Sequence, residues 1–112
     1  MKKFLVLYKA PVESFEQMMK NTTPEQQKAG MKAWQTWIDK AGSALIDAGA
    51  PLGKGTKVTN SGGNAQRNEL GGYSIMKAES SEKLAASLKG HPHFEMPQGW
   101  IEVTEIMPMP EM

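Results

Sequence analysis

The stretch "FLVLYK", Phe4 to Lys9, decides how this chain is read. Side chains on a strand alternate between faces. Phe4, Val6 and Tyr8 then fall on one face, and Leu5 and Leu7 on the other. A strand that is apolar on both faces has to be covered on both. The preceding Met1-Lys2-Lys3 imitates the start of a signal peptide. The apolar run is too short for one, and it ends in Lys9 without a small-residue cleavage site. It reads as a first strand, and the rest of the chain has to supply its cover.

Working outward, "APVESFEQMMKNT" is a connection in which Ser14 can cap a helical turn bearing Phe15, Met18 and Met19. Thr23-Pro24-Glu25-Gln26 is a helix start: threonine at the cap, proline at the first helical position, glutamine three residues after the cap. Met31, Trp34, Ile38, Ala41 and Leu45 follow at spacings of three and four and form one apolar stripe. Gly42 weakens such a helix by about 1 kcal/mol relative to alanine without having to end it. The reading therefore carries the helix from Pro24 to Ala48, with Gly49 and Pro51 as its stop. A short polar strand is expected around Thr56 to Thr59, a loop from Ser61 to Gly72, and a third strand from Tyr73 to Glu79. Ser80 opens a second helix with Leu84, Ala85 and Leu88, closed by Gly90. Trp100 to Met107 is the last strand, stopped by Pro108 and Pro110.

The order β-α-β-β-α-β predicts a ferredoxin-like α+β sandwich, a four-stranded antiparallel sheet with two helices on one face. Two helices cover only one side of "FLVLYK". The simplest cover for the other is a second copy of the same sheet, so a homodimer through the sheets is expected.

At 112 residues the chain is one domain, 1–112, large enough for its own core. A formal charge of +1 and the absence of any Lys/Arg block argue against nucleic acid and acidic membranes as partners. No segment is long and apolar enough to cross a membrane. The chain has no cysteine, which excludes disulfides, thiol catalysis and cysteine metal sites. The expected location is the cytoplasm.

"GAPLGKGTKV" after the long helix, "GGYSIMKAES" for the third strand, "KGHPHFE" after the second helix and "WIEVTEIMPM" at the end together resemble the YCII-related family of the dimeric α+β barrel superfamily. The resemblance runs from Phe4 to Met109 and rests on the order and spacing of these segments. It implies a small bacterial homodimer of the fold already expected. In the family's best-studied branch it implies a His–Asp pair in a cleft, proposed for acid–base chemistry, and one relative that removes chloride from a chlorinated hydroxyquinol. The histidine of that pair lies early in the family's chain. Here no histidine precedes His91, so the pair does not carry over. The Asp-Gly-Pro-Phe motif of a sister group is also absent from "SGGNAQRNELGG". The "GHPH" segment does match, on His91 and His93.

The chemistry is thus sought at His91 and His93. Pro92 favours an extended His91, and residues i and i+2 of an extended segment face the same way, so both rings can face one cavity. Neutral imidazole suits general-base work near pH 7. His93, or failing that His91, is the expected proton-transferring group, with Asp47 as the carboxylate that orients it. Tyr8, Trp37 and Tyr73 are the expected ligand contacts. No cofactor is expected. The plainer alternative is a helix stop and a turn: His91 complements the helix dipole after Gly90, and His93 packs.

A metal would need a third ligand, with Glu95, Asp39 or Asp47 as candidates, and none has a diagnostic spacing. Met96, Met107, Met109 and Met112 are read as core filler and tail rather than copper ligands. "GAPLGKGT" fails as a phosphate loop: three residues separate Gly49 from Gly53, and Gly55 stands where Ser or Thr is needed. Two functional classes remain. One is a cofactor-free acid–base enzyme on a small cyclic or aromatic compound. The other is a non-catalytic small-molecule-binding or stress-associated module using the same cleft.

Overall fold

The computed structural model describes residues 1–66 and 68–110; Arg67, in the expected loop, and Met112, in the tail, lie outside them. The chain forms β1 (Lys2–Lys9), α1 (Val12–Asn21), α2 (Pro24–Ala41), β2 (Leu45–Asp47), β3 (Gly55–Thr59), β4 (Gly62–Gln66), β5 (Leu70–Ala78), α3 (Ser81–Ser87) and β6 (Trp100–Glu105). It is an α+β structure with three helices and a four-stranded sheet in the order β2-β5-β1-β6, every neighbouring pair antiparallel.

The opening strand behaves as its alternation requires. Phe4, Val6 and Tyr8 are buried with Met76 of β5 and with Leu84 and Leu88 at α3, and Trp34 and Trp37 of α2 pack on this group. Burying each such side chain contributes about 1.5–3 kcal/mol. Leu5 and Leu7 face the other way. They pair across the sheet with Ile75 and Tyr73, and these four are half-buried. The molecule is a slab of 48 × 45 × 19 Å with a Cα radius of gyration of 15.7 Å, above the roughly 13 Å of a compact 100-residue domain.

The helix starts follow the sequence. Thr23 makes the expected capping box: its hydroxyl accepts from the Gln26 N–H at 3.1 Å, and the Gln26 carboxamide accepts from the Thr23 N–H at 2.9 Å. The Ser80 hydroxyl accepts from the Lys83 N–H at 3.1 Å and starts α3.

Several expectations are corrected. The long helix ends at Ala41, not Ala48. Gly42 takes φ 56°, a left-handed value that favours glycine, and the chain leaves the helix there. Leu45–Asp47 then pairs with the open edge of β5, so Leu45 reaches the core from a strand and Met31, the first member of the expected stripe, is exposed. This segment, not Thr56 to Thr59, is the second strand of the main sheet. The polar strand Gly55–Thr59 pairs in a separate hairpin with Gly62–Gln66, which lies within the expected Ser61–Gly72 loop. Its turn is held by the Thr59 hydroxyl, which the Ser61 hydroxyl and the Ser61 N–H both meet.

Among the described residues there are three α-helices rather than two. Val12–Asn21 is a full α-helix with Ser14 buried inside it rather than capping it. Phe15 packs so close to Gly71 that a Cβ there would lie 2.6 Å from the ring. That contact explains glycine in the strand and fixes α1 against β5. Met107 and Met109 are exposed tail.

Candidate functional site

The segment after α3 is built by its own residues. Gly90, at φ 75°, turns the chain. His91 is extended at φ −57°, ψ 143°, as a residue before proline should be. Pro92 begins a single 3-10 turn, Pro92–Glu95. The His91 ring caps this turn, its Nδ1 accepting from the His93 N–H at 2.9 Å. Both imidazoles go inward, with 2% and 6% of their surface exposed.

Rings surround His91. Tyr8 stacks on it at 4.9 Å and 25°. Trp34 and Trp37 of α2 meet it edge-on at 4.6 Å and 4.3 Å. The His93 ring centre lies 5.5 Å from that of Tyr8. Off-parallel and edge contacts of this kind add about 0.5–1.5 kcal/mol per pair beyond the buried area.

Hydrogen-bond partners set where the protons sit. A backbone carbonyl can only accept, so His93 donates from Nε2 to the Lys9 carbonyl at 2.7 Å. In the neutral ring this leaves Nδ1 as the basic atom of His93. In His91 the order is the same for a different reason. Nδ1 already accepts the His93 N–H, so Nε2 carries the proton when the ring is neutral. Burial, with the neighbouring His93 as a lesser cause, pushes its pKa down from 6.5 to about 4, so His91 is neutral at pH 7. Its Nε2 is a buried atom with no hydrogen-bond partner among the described residues. An unmade hydrogen bond of that kind costs about 1–3 kcal/mol.

Tyr8 is tied down at its other end. Ser74 donates to the Ala48 carbonyl at 2.8 Å, which leaves the Ser74 oxygen to accept from the Tyr8 hydroxyl at 2.8 Å. Burial, partly offset by that bond, pushes the Tyr8 pKa up to about 12.

Of the residues singled out in the sequence, the structure gathers His91, His93, Tyr8 and Trp37. It does not bring in Asp47 or Tyr73. Asp47 is exposed on the edge strand β2, and its carboxylate accepts from the Gly49 N–H at 2.8 Å. Among the described residues no hydrogen bond joins it to either imidazole. Tyr73 points to the opposite face of the sheet from Tyr8, beside Leu7. Of the residues weighed as further metal ligands, Glu95 is exposed and Asp39 accepts from Gln35 at 3.0 Å. Among the described residues no three His, Asp or Glu side chains gather as a metal site would need.

Two participants escaped the sequence reading. Trp34 falls on the core stripe by its apolar spacing, but its spacing of three from Trp37 also puts both indoles on one helical face. The Lys9 carbonyl has no side-chain signature at all.

A cleft of about 560 Å³ opens elsewhere, at the start of α1, lined by Lys9, Glu13, Gln66, Asn68, Glu69 and Leu70 among others. Neither histidine lines it, and key polar groups are already engaged. Asn68 accepts from the Leu70 N–H, and Lys9 pairs with Glu102 at 3.3 Å. The free donor and the paired tautomers are at the histidines, and the candidate site is placed there.

No known protein family matches the sequence, and no curated protein matches it. Among solved structures the chain is similar to the 5-chloro-2-hydroxyhydroquinone dehydrochlorinase TftG of Burkholderia phenoliruptrix AC1100, in complex with 2,5-dihydroxybenzoquinone. The two share 19% identity over 89% of this chain and 90% of that one, with a TM-score of 0.51. At that identity the likeness is one of fold.

Proposed function

We propose that this protein binds a small cyclic or aromatic organic compound and acts on it by acid–base chemistry without a cofactor, as a homodimeric, ferredoxin-like subunit of the YCII-related kind. One observation carries the reading: two imidazoles, two residues apart against one tyrosine ring, are held in complementary states. His93 keeps its basic Nδ1, and His91 presents an Nε2–H donor with no partner among the described residues.

A basic nitrogen and a neutral donor, supplied by two imidazoles that share the Tyr8 ring, are the groups needed to take a proton from a ring hydroxyl, or from carbon next to a carbonyl, while steadying the oxygen where charge develops. A neutral imidazole can fill the second role, because a depressed pKa keeps it uncharged while it polarises an oxygen. The Lys9 carbonyl orients the His93 ring in the way a carboxylate does elsewhere, in place of Asp47. The similar fold of an enzyme whose substrate is a chlorinated hydroxyhydroquinone supports the choice of substrate class.

Dimerisation is supported by the face formed by Leu5, Leu7, Tyr73 and Ile75, which no helix of the chain's core side covers, and by the 19 Å thickness of the slab. Tyr73 belongs to that face in this reading and not to the ligand site.

The test is turnover of hydroxyquinols and hydroxylated quinones, 2,5-dihydroxybenzoquinone among the ligands tried, by wild type and His93→Ala. Loss of the base should slow turnover by about two to four decades. Equal rates in the two proteins would remove His93 from the chemistry. The second reading, a binding module without turnover, is favoured by one feature: both rings also have structural work, His91 capping its turn and His93 tied to the main chain. Binding without turnover by any of the panel would select it.

A further inference from the structure

Resting on the ring-compound reading above, we infer that the ligand is a planar ring with an acceptor oxygen at one edge, and that it enters beneath α2, taking that oxygen to Nε2 of His91 while Trp34 and Trp37 draw back. The first ground is the donor. Nε2 of His91 is the buried side-chain polar atom that has no hydrogen bond among the described residues. Its complement is an atom that accepts and carries no competing proton, such as a carbonyl or phenolate oxygen. An ammonium group would meet it donor to donor.

The second ground is the walls. Tyr8, Trp34 and Trp37 offer ring faces and edges within 4.3–4.9 Å of the imidazole. A flat ligand ring can take over these contacts as the indoles give them up. A sugar would bring several hydroxyls to a place with one free donor, and each unpaired hydroxyl would be costly to bury.

The third ground is that α2 can move. It is an 18-residue helix with no buried residue, and it packs on the core through the half-buried Trp34, Trp37 and Ala41. Each end is a natural pivot: the extended Thr22 and Thr23 before it and Gly42, at φ 56°, after it. Swinging it out uncovers two indoles and an imidazole without taking any fully buried side chain of its own into water.

The test uses two fluorinated rings of matched size, pentafluorophenolate and hexafluorobenzene, titrated by ¹⁹F NMR. The protein carries Trp100→Phe, so that its emission reports Trp34 and Trp37 alone. The phenolate should bind and change that emission. His91→Phe keeps a ring and removes the donor, and should weaken phenolate binding by about ten- to a hundredfold, the effect of a hydrogen bond to a charged acceptor. His91→Gln, whose amide nitrogen can occupy the place of Nε2, should stay within about threefold of wild type. Hexafluorobenzene should bind all three proteins alike.

Undiminished phenolate binding by His91→Phe, or binding that leaves the Trp34 and Trp37 emission unchanged, overturns this inference. The proposed function then survives with its ligand seated elsewhere. No binding of either ring, together with no turnover of the quinone panel, ends both. Should the His91 variants not fold, the wild-type His91 Nε2–H resonance decides: it must move downfield with pentafluorophenolate and not with hexafluorobenzene, and a still resonance overturns the inference.

Discussion

Lowering the pH should loosen this protein through His91 before any carboxylate is called on to explain it. The folded chain holds the His91 pKa at about 4, against an ordinary 6.5. The unfolded chain therefore binds a proton that the folded one refuses. Stability is full above about pH 6.5 and falls as the pH drops toward 4, below which both states are protonated and the loss stops. A gap from 6.5 to about 4 corresponds to roughly 3 kcal/mol in all, about 2.5 kcal/mol of it reached by pH 4.5.

The groups facing the ring do not counter this. They are the neutral indoles of Trp34 and Trp37, the Tyr8 phenol with its pKa near 12, and His93, whose approach lowers the His91 pKa further. The assay is urea unfolding of wild type and His91→Gln at about pH 7 and about pH 4.5, extrapolated linearly to water. Groups that titrate in both proteins cancel in the comparison. Wild type should lose about 2–3 kcal/mol more than the variant over this interval. Parallel losses would refute the argument, since they would mean the His91 ring takes its proton without leaving its place among the aromatic rings.

Other expectations follow from single contacts. Gly42→Ala puts a Cβ at φ 56°, ψ −129°, in open space but in a conformation that suits glycine, so thermal or urea unfolding should register a loss of about 1–3 kcal/mol with the fold retained. Tyr8→Phe removes one hydrogen bond to Ser74, which still donates to Ala48, and should cost about 0.5–1.5 kcal/mol by the same assay. Leu7→Lys places a charge in the half-buried sheet face opposite Tyr73; sedimentation at micromolar protein should show a dimer in wild type and a monomer in the variant, and a wild-type monomer would contradict the proposed pairing. Ionisation of Tyr8, followed by tyrosinate absorbance, should be delayed well past 10, toward about 12.

The fold was legible where one physical signal acted alone. Alternation in Phe4 to Tyr8 fixed both faces of the central strand, and the spacing Thr23 to Gln26 fixed a helix start to the residue. Reading failed where two signals competed. At Gly42 a continuing apolar spacing and a glycine point in opposite directions, and the glycine ends the helix. Leu45 satisfies the helical stripe and the strand equally well, and only the open edge of β5, a tertiary fact, decides between them. The hairpin was missed because Gly62 and Gly63 look like loop until their partners in Gly55–Thr59 are known. At the site, the "GHPH" segment and the proline's effect on His91 could be read from local chemistry. The orienting group could not, because it is a main-chain carbonyl some eighty residues away in sequence, and any residue type supplies one.

That last point bears on how the chain can change over time. The acceptor that sets the His93 proton is the peptide oxygen of residue 9, so no side-chain replacement there can delete it; even proline keeps its carbonyl. Replacing Lys9 by arginine, glutamine or threonine would change what the side chain offers Glu102 and Trp100 on the other face of the sheet and would leave that oxygen in place. A histidine oriented by a carboxylate loses its partner to one codon change. This one loses its partner only if β1 itself shifts, and a shift of β1 would first expose Phe4, Val6 and Tyr8 to water. The proton's position is thereby inherited with the fold rather than with any particular residue.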